Sequence, residues 1–120
     1  MVLTVPLSAQ TDGLIDDTAL RSMSRHAWLI NVSRGRIVRE DALVRALASG
    51  TIAGACLDVF EEEPLPEASP LWSMPNAIVT PHNSGWSPLN MERASAIFLD
   101  NLQRFLTGRP LRNRIRPRDL

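Results

Sequence analysis

Four short apolar runs punctuate the chain: residues 2–5, closed by Pro6; residues 28–32 (Trp-Leu-Ile-Asn-Val); residues 52–59; and residues 77–80, closed by Pro81. None alternates strictly between apolar and polar, so each predicts a strand buried on both faces, as in a parallel sheet covered by helices. Helical periods lie between them. Asp16 or Asp17 can cap a short helix carrying Leu20 and Met23, and residues 39–49 place Ala42, Leu43, Ala46 and Leu47 on one face. Gly50 then fits the left-handed position after that helix. Strands alternating with helices predict a doubly wound α/β sheet. The pattern fails over residues 61–75, where Pro64, Pro66, Pro70 and Pro75 predict a long loop, and loops of that length tend to be functional. A long last helix follows over residues 87–107. Ser87 and Pro88 suit its N-cap and first turn, Met91, Ala94, Phe98, Leu102 and Phe105 form an apolar stripe, and Gly108 with Pro110 ends it.

Composition changes this picture in three places. Thirteen Lys and Arg balance thirteen Asp and Glu, which argues against nucleic-acid binding driven by excess positive charge. The charge is unevenly placed: Asp58, Glu61, Glu62, Glu63 and Glu67 make one acidic stretch, while Arg109, Arg112, Arg114, Arg116 and Arg118 make the end basic, which reads as a solvated tail. Cys56 is the only cysteine, so an intramolecular disulfide framework and a multi-cysteine metal site are both excluded. In its apolar run it reads as a small buried hydrophobe. No apolar run reaches the length of a membrane span and no leader pattern opens the chain, so no membrane partner is expected, and a reducing, cytoplasmic setting is.

Titratable groups collect at strand ends. In open α/β sheets ligands bind at the carboxyl ends of the strands. Arg34 follows the second run, Asp58 and Glu63 follow the third, and His82 follows Pro81 at the end of the fourth. His26, beside Arg25, reads as a surface residue. A buried histidine–carboxylate pair can equally serve stability, so placement alone leaves both readings open.

The residues around these positions resemble the NAD-dependent D-2-hydroxyacid dehydrogenases. The matching blocks are Val-Pro-Leu-Ser-Ala-Gln-Thr at 5–11, Ile-Asn-Val-Ser-Arg-Gly-Arg-Ile-Val at 30–38, Leu-Asp-Val-Phe-Glu-Glu-Glu-Pro at 57–64 and Thr-Pro-His-Asn-Ser-Gly at 80–85. The resemblance implies hydride transfer between a nicotinamide cofactor, NAD or NADP with NAD favoured, and a small 2-oxo or 2-hydroxy acid. Arg34 would bind the substrate carboxylate and the C2 oxygen, His82 would be the acid/base, and Glu63 would hold the other imidazole nitrogen and favour the protonated ring. Glu61 and Glu62 do not align with the Glu-Pro pair and read as a solvated loop face. Cofactor contacts carried over in the same way are Val5, Pro6, Val32, Ser33, Arg34, Asp58, His82, Ser84 and Gly85, with Asp58 accepting from the nicotinamide amide. Ser84 stands where relatives often carry glycine. Trp86 would either wall the substrate pocket or pack under the final helix.

One expected part is missing. No Gly-x-Gly-x-x-Gly follows a strand in this chain, and in the family that fingerprint lies upstream of the first matching block. The resemblance therefore implies the C-terminal part of a dinucleotide-binding domain over residues 1–86, a helix over 87–108 that returns toward the substrate domain in relatives, and a basic tail over 109–120. Such a piece is expected to expose a strand edge along residues 2–5, to form a homodimer or pair with an upstream half, and to bind NAD poorly alone. The alternatives are a non-catalytic NAD-sensing or interaction protein on the same scaffold, and an inactive truncated remnant.

Overall fold

The computed structural model describes residues 1–115, and these form two compact units, Met1–Gly85 and, from Trp86 onward, the second. Arg116, Arg118 and the end of the expected basic tail lie outside the described residues.

In the first unit, β1 (Val2–Leu3), β2 (Trp28–Asn31), β3 (Gly54–Leu57) and β4 (Ala77–Val79) form one parallel sheet in the order β1-β2-β3-β4. The α/β fold class expected from the runs is therefore present, as the consecutive half of a Rossmann-like sheet. Each strand is shorter than its apolar run. Beyond β1 the Val5 carbonyl accepts the Ser33 hydroxyl, and β2 stops where the Asn31 side chain captures the Ser33 N–H at 3.1 Å.

Helix α1 (Asp17–Ser22) is capped by Asp16, whose carboxylate accepts the Ala19 N–H at 2.9 Å. Helix α2 (Glu40–Ala48) ends at Gly50, which takes φ +66° as expected. No side chain of Arg39 caps α2. Glu61 does so from the distant loop: its Oε1 accepts the Glu40 N–H at 3.0 Å, and Glu40 Oε2 accepts the Glu61 N–H at 3.3 Å. Glu61 is therefore exposed but not an idle loop residue. Partial burial raises the Glu40 pKa, the Glu61 N–H opposes this, and the charges of Glu61 and Glu62 raise it further.

The expectation of strands buried on both faces is corrected. Leu3, Leu29, Ala55 and Leu57 are buried, together with Leu20, Leu43 and Leu47 from the helices. The opposite row runs Val2, Ile30, Cys56, Ile78 in register, with Val2 and Ile78 more than half exposed and Cys56 half-buried rather than buried. Right-handed crossovers between strands laid down in one direction put every connection on the same face, so one face is covered by this segment's own helices. The 61–75 loop joins that core through buried Leu65 and Leu71, and contains a 3-10 turn, Pro70–Trp72.

The second unit contains α3 (Asn90–Leu106), ended by Gly108 at φ +66°. Ser87 and Pro88 do not start it. They form the preceding turn, where the Ser87 carbonyl accepts the Asn90 N–H at 2.9 Å and its hydroxyl accepts the Leu89 N–H at 3.3 Å. No residue of α3 is buried. Arg112 is not a free tail cation: its N–H donates to Asn101 Oδ1 at 2.8 Å and its guanidinium reaches Asp100 at 3.3 Å. Trp86 is 78% exposed, which contradicts packing under the helix. No helix among the described residues is long and apolar enough to cross a membrane.

Candidate active site

Parallel pairing aligns the carboxyl ends of β2, β3 and β4, and the loops leaving them carry the chemistry. After β2, Asn31 is 1% exposed and spends its amide locally: Nδ2 donates to the Arg34 carbonyl at 3.0 Å while Oδ1 takes the Ser33 N–H. This shapes the loop that presents Arg34. Asn31 was visible as the one polar residue in an apolar run, but its role depends on partners that a linear reading does not supply. Arg34 is exposed and uses one guanidinium nitrogen on the Ser33 carbonyl at 2.7 Å, leaving most of its fork of donors for an anion.

After β3, the Glu63 carboxylate is held at both oxygens. Oε1 accepts the Phe60 N–H at 3.0 Å, and Oε2 lies 2.7 Å from His82 Nδ1. Burial raises the Glu63 pKa, but the His82 ring, the Phe60 N–H and the charges on His82 and Arg34 outweigh it and leave the carboxyl below its ordinary value. The His82 Nε2 has no hydrogen-bond partner among the described residues, so a ring held at Nδ1 by a carboxylate can carry and release a proton at Nε2.

After β4, His82 adopts φ +52°, a left-handed conformation unusual for a residue with a Cβ. Asp58, 2% exposed, bonds to Thr80, Asn83 and Ser84 around it. Burial pushes the Asp58 pKa up, but these donors overturn that and leave it below the usual carboxylate range.

The residues expected to form the site thus gather in two neighbouring sets. Val5, Val32, Ser33, Arg34 and Pro6 lie together, with Pro6, Val32, Ser33 and Arg34 lining a cleft of about 450 Å³. Glu63 and His82 border a more apolar cleft of about 660 Å³, with Phe60, Leu65 and Trp72 on its walls. Asp58 ties Ser84 to the second set, and Gly85 follows it in the exposed turn. The first cleft lies at a strand end, with Thr4 and Leu7 completing its lining. The glycine cradle for a pyrophosphate is not in this sequence.

The two lowered carboxyl pKa values set an acid limit. A group whose folded pKa is depressed binds protons in the unfolded chain first, so its stabilisation is present above the ordinary carboxylate range and is lost as pH falls through the folded value. The unfolding temperature of this chain is expected to drop as pH goes from 5 to about 2. Glu63→Gln should remove only a small part of that drop, about 0–1 kcal/mol, because the pair is partly exposed to solvent. A melting temperature flat over that range would contradict the assignment.

Residues 1–84 match the D-isomer specific 2-hydroxyacid dehydrogenase family, NAD binding domain. Over all 120 residues the chain is 42% identical to glyoxylate/hydroxypyruvate reductase B of Pectobacterium carotovorum subsp. carotovorum (strain PC1), of which it covers 38%. It is 42% identical over 106 residues to glyoxylate reductase of Korarchaeum cryptofilum, covering 32% of that protein. Among solved structures, a D-isomer specific 2-hydroxyacid dehydrogenase from Xanthobacter autotrophicus Py2, in complex with NADPH and MES, superposes with TM-score 0.86 at 44% identity, over 98% of this chain and 48% of that one. A probable 2-hydroxyacid dehydrogenase from Rhizobium etli CFN 42, in complex with NADP, HEPES and L(+)-tartaric acid, gives 0.83 at 34% identity, over 96% and 37%. The chain spans less than half the length of each of these relatives.

Proposed function

We propose, for a chain that belongs to the D-isomer specific 2-hydroxyacid dehydrogenase family through its NAD-binding domain, that the strand-end cluster serves reduction of a small 2-oxo acid and the reverse oxidation. The observation that carries this reading is the 2.7 Å contact between His82 Nδ1 and Glu63 Oε2, which leaves Nε2 free beside a strand end that also presents Arg34. In the reduction, Arg34 binds the substrate carboxylate and polarises the C2 carbonyl through its remaining donors. His82 delivers a proton from Nε2 to the C2 oxygen, and in the oxidation takes it back. Glu63 keeps the ring oriented and stabilises its positive form between these events. A bound nicotinamide dinucleotide supplies or accepts the hydride. Val5, Pro6, Val32, Ser33 and Arg34 would face its nicotinamide end, with Ser84 and Gly85 near His82. The proposal covers NAD and NADP alike, because the matched family domain is described as NAD binding and two relatives are solved with NADPH and NADP.

Glyoxylate and hydroxypyruvate are the substrates to test, given the names of the relatives. Pairing with an upstream half or a second copy belongs to the same proposal, since β1 stands at one edge of the sheet. The test is a hybrid in which this chain replaces the matched segment of the Pectobacterium reductase. NAD(P)H-dependent reduction of either acid, followed by loss of reduced-nicotinamide absorbance, is the expected result. A folded hybrid that binds the dinucleotide without turnover would favour the sensing alternative instead. The chain alone is expected to bind NAD weakly, because it lacks the glycine cradle; low-micromolar affinity by calorimetry would contradict that.

A further inference from the structure

Asp58 sits one residue beyond β3, where the ladder to β4 gives out: the Asp58 N–H donates to the Asn31 carbonyl at 3.0 Å, and the Thr80 N–H donates to the Leu57 carbonyl at 2.9 Å. Its two oxygens then take over the work of the ladder. Oδ1 accepts the Thr80 hydroxyl and the Asn83 N–H at 3.0 Å, and Oδ2 accepts the Ser84 N–H at 2.8 Å. These donors flank His82 on both sides. Between them the His82 N–H closes a tight turn on the Thr80 carbonyl at 3.1 Å, and the residue is held at φ +52°. A histidine does not keep that backbone conformation unless its surroundings over-determine it.

We propose that Asp58 is a positioning residue for His82: it clamps the 80–84 turn from within the sheet, so that the imidazole meets Glu63 through Nδ1 and keeps Nε2 free. With its carboxylate 2% exposed and its oxygens turned to these donors, Asp58 acts on the fold's own loop. Glu63 orients the ring and Asp58 orients the backbone that carries it. The burial of an ionised carboxylate is supported by the donors that surround it. That the orientation serves proton transfer rests on the acid/base reading of His82; the orientation itself does not.

The test is made on the 120-residue chain by NMR, without substrate or cofactor. Imidazole ¹⁵N shifts report which ring nitrogen of His82 carries the proton at neutral pH, with exposed His26 as internal reference. In the unaltered chain the Nδ1–H form is expected to dominate. Asp58→Asn should lose that preference in molecules whose β2–β3 amides stay protected, and exchange at the Asn83 and Ser84 amides should accelerate roughly tenfold or more. Thr80→Val removes a single donor from the clamp, and should shift both readouts in the same direction by less. Glu63→Gln should change the ring nitrogens while the Asn83 and Ser84 amides stay slow. Unchanged His82 ring shifts in folded Asp58→Asn would overturn the proposal. Should that variant not fold, unchanged ring shifts and unchanged amide exchange in Thr80→Val would do so. An inactive hybrid enzyme with these shifts as expected would count against the function and not against the clamp.

Discussion

Replacing His82 by Gln in the hybrid enzyme should lower kcat for glyoxylate reduction by about 10²–10⁴-fold, the usual contribution of a positioned acid or base. Dinucleotide affinity should change by no more than roughly threefold, well within the energy of one lost hydrogen bond. The asymmetry follows from geometry. Glutamine is polar, of similar reach, and can still donate toward Glu63, which holds its partner at 2.7 Å in the native pair. What it lacks is a ring nitrogen that can take and return a proton. Steady-state kinetics with fluorescence titration of the reduced dinucleotide separate the two effects. A parallel loss of affinity and turnover would mean that the histidine shapes the cleft and does not transfer protons.

Gly35→Ala should be the most damaging small substitution in the first unit. Gly35 does not need a left-handed backbone. It needs space: a Cβ there would stand 1.8 Å from the Phe60 carbonyl oxygen and 1.9 Å from its carbon, both main-chain atoms that cannot swing aside. Overpacking of a core costs about 1–3 kcal/mol, and a clash with backbone belongs at or beyond the upper end. The site should suffer with the fold. Arg34 precedes Gly35 in the chain, and the Phe60 N–H that fixes Glu63 at 3.0 Å belongs to the residue that must retreat. Gly50→Ala is the control, because its Cβ meets nothing within 4 Å and only its φ of +66° resists the change. That cost should be about 1 kcal/mol, without effect on the loops. Urea midpoints at constant slope measure both. A Gly35→Ala protein within about 1 kcal/mol of the unaltered chain would show that the approach of the two loops is soft.

The success and failure of linear reading can be traced to range. Apolar runs marked all the strands, since continuous hydrophobicity is a local property, and Asp16 and Gly50 declared the ends of α1 and α2 because caps act within a turn. Ser87 and Pro88 looked equally good and were displaced by a turn, since a start signal is only as strong as the competing local hydrogen bonds. Glu61 capping Glu40, 21 residues earlier, had no local signature at all.

Arg34, Glu63 and His82 were legible as candidates, because their side-chain types and the blocks around them survive in one dimension. By itself, then, the order of residues determined the parallel α/β class, the segments that become its strands and the identity of the groups at their ends. Only the tertiary structure decided which face of the sheet was buried, that Glu61 turned back to cap α2, and that the Asp58 carboxylate met the turn carrying His82. Those outcomes depend on register between β3 and β4 and on one-sided crossovers, where distances of a few ångströms between residues some 20 apart in the chain select one hydrogen bond over another.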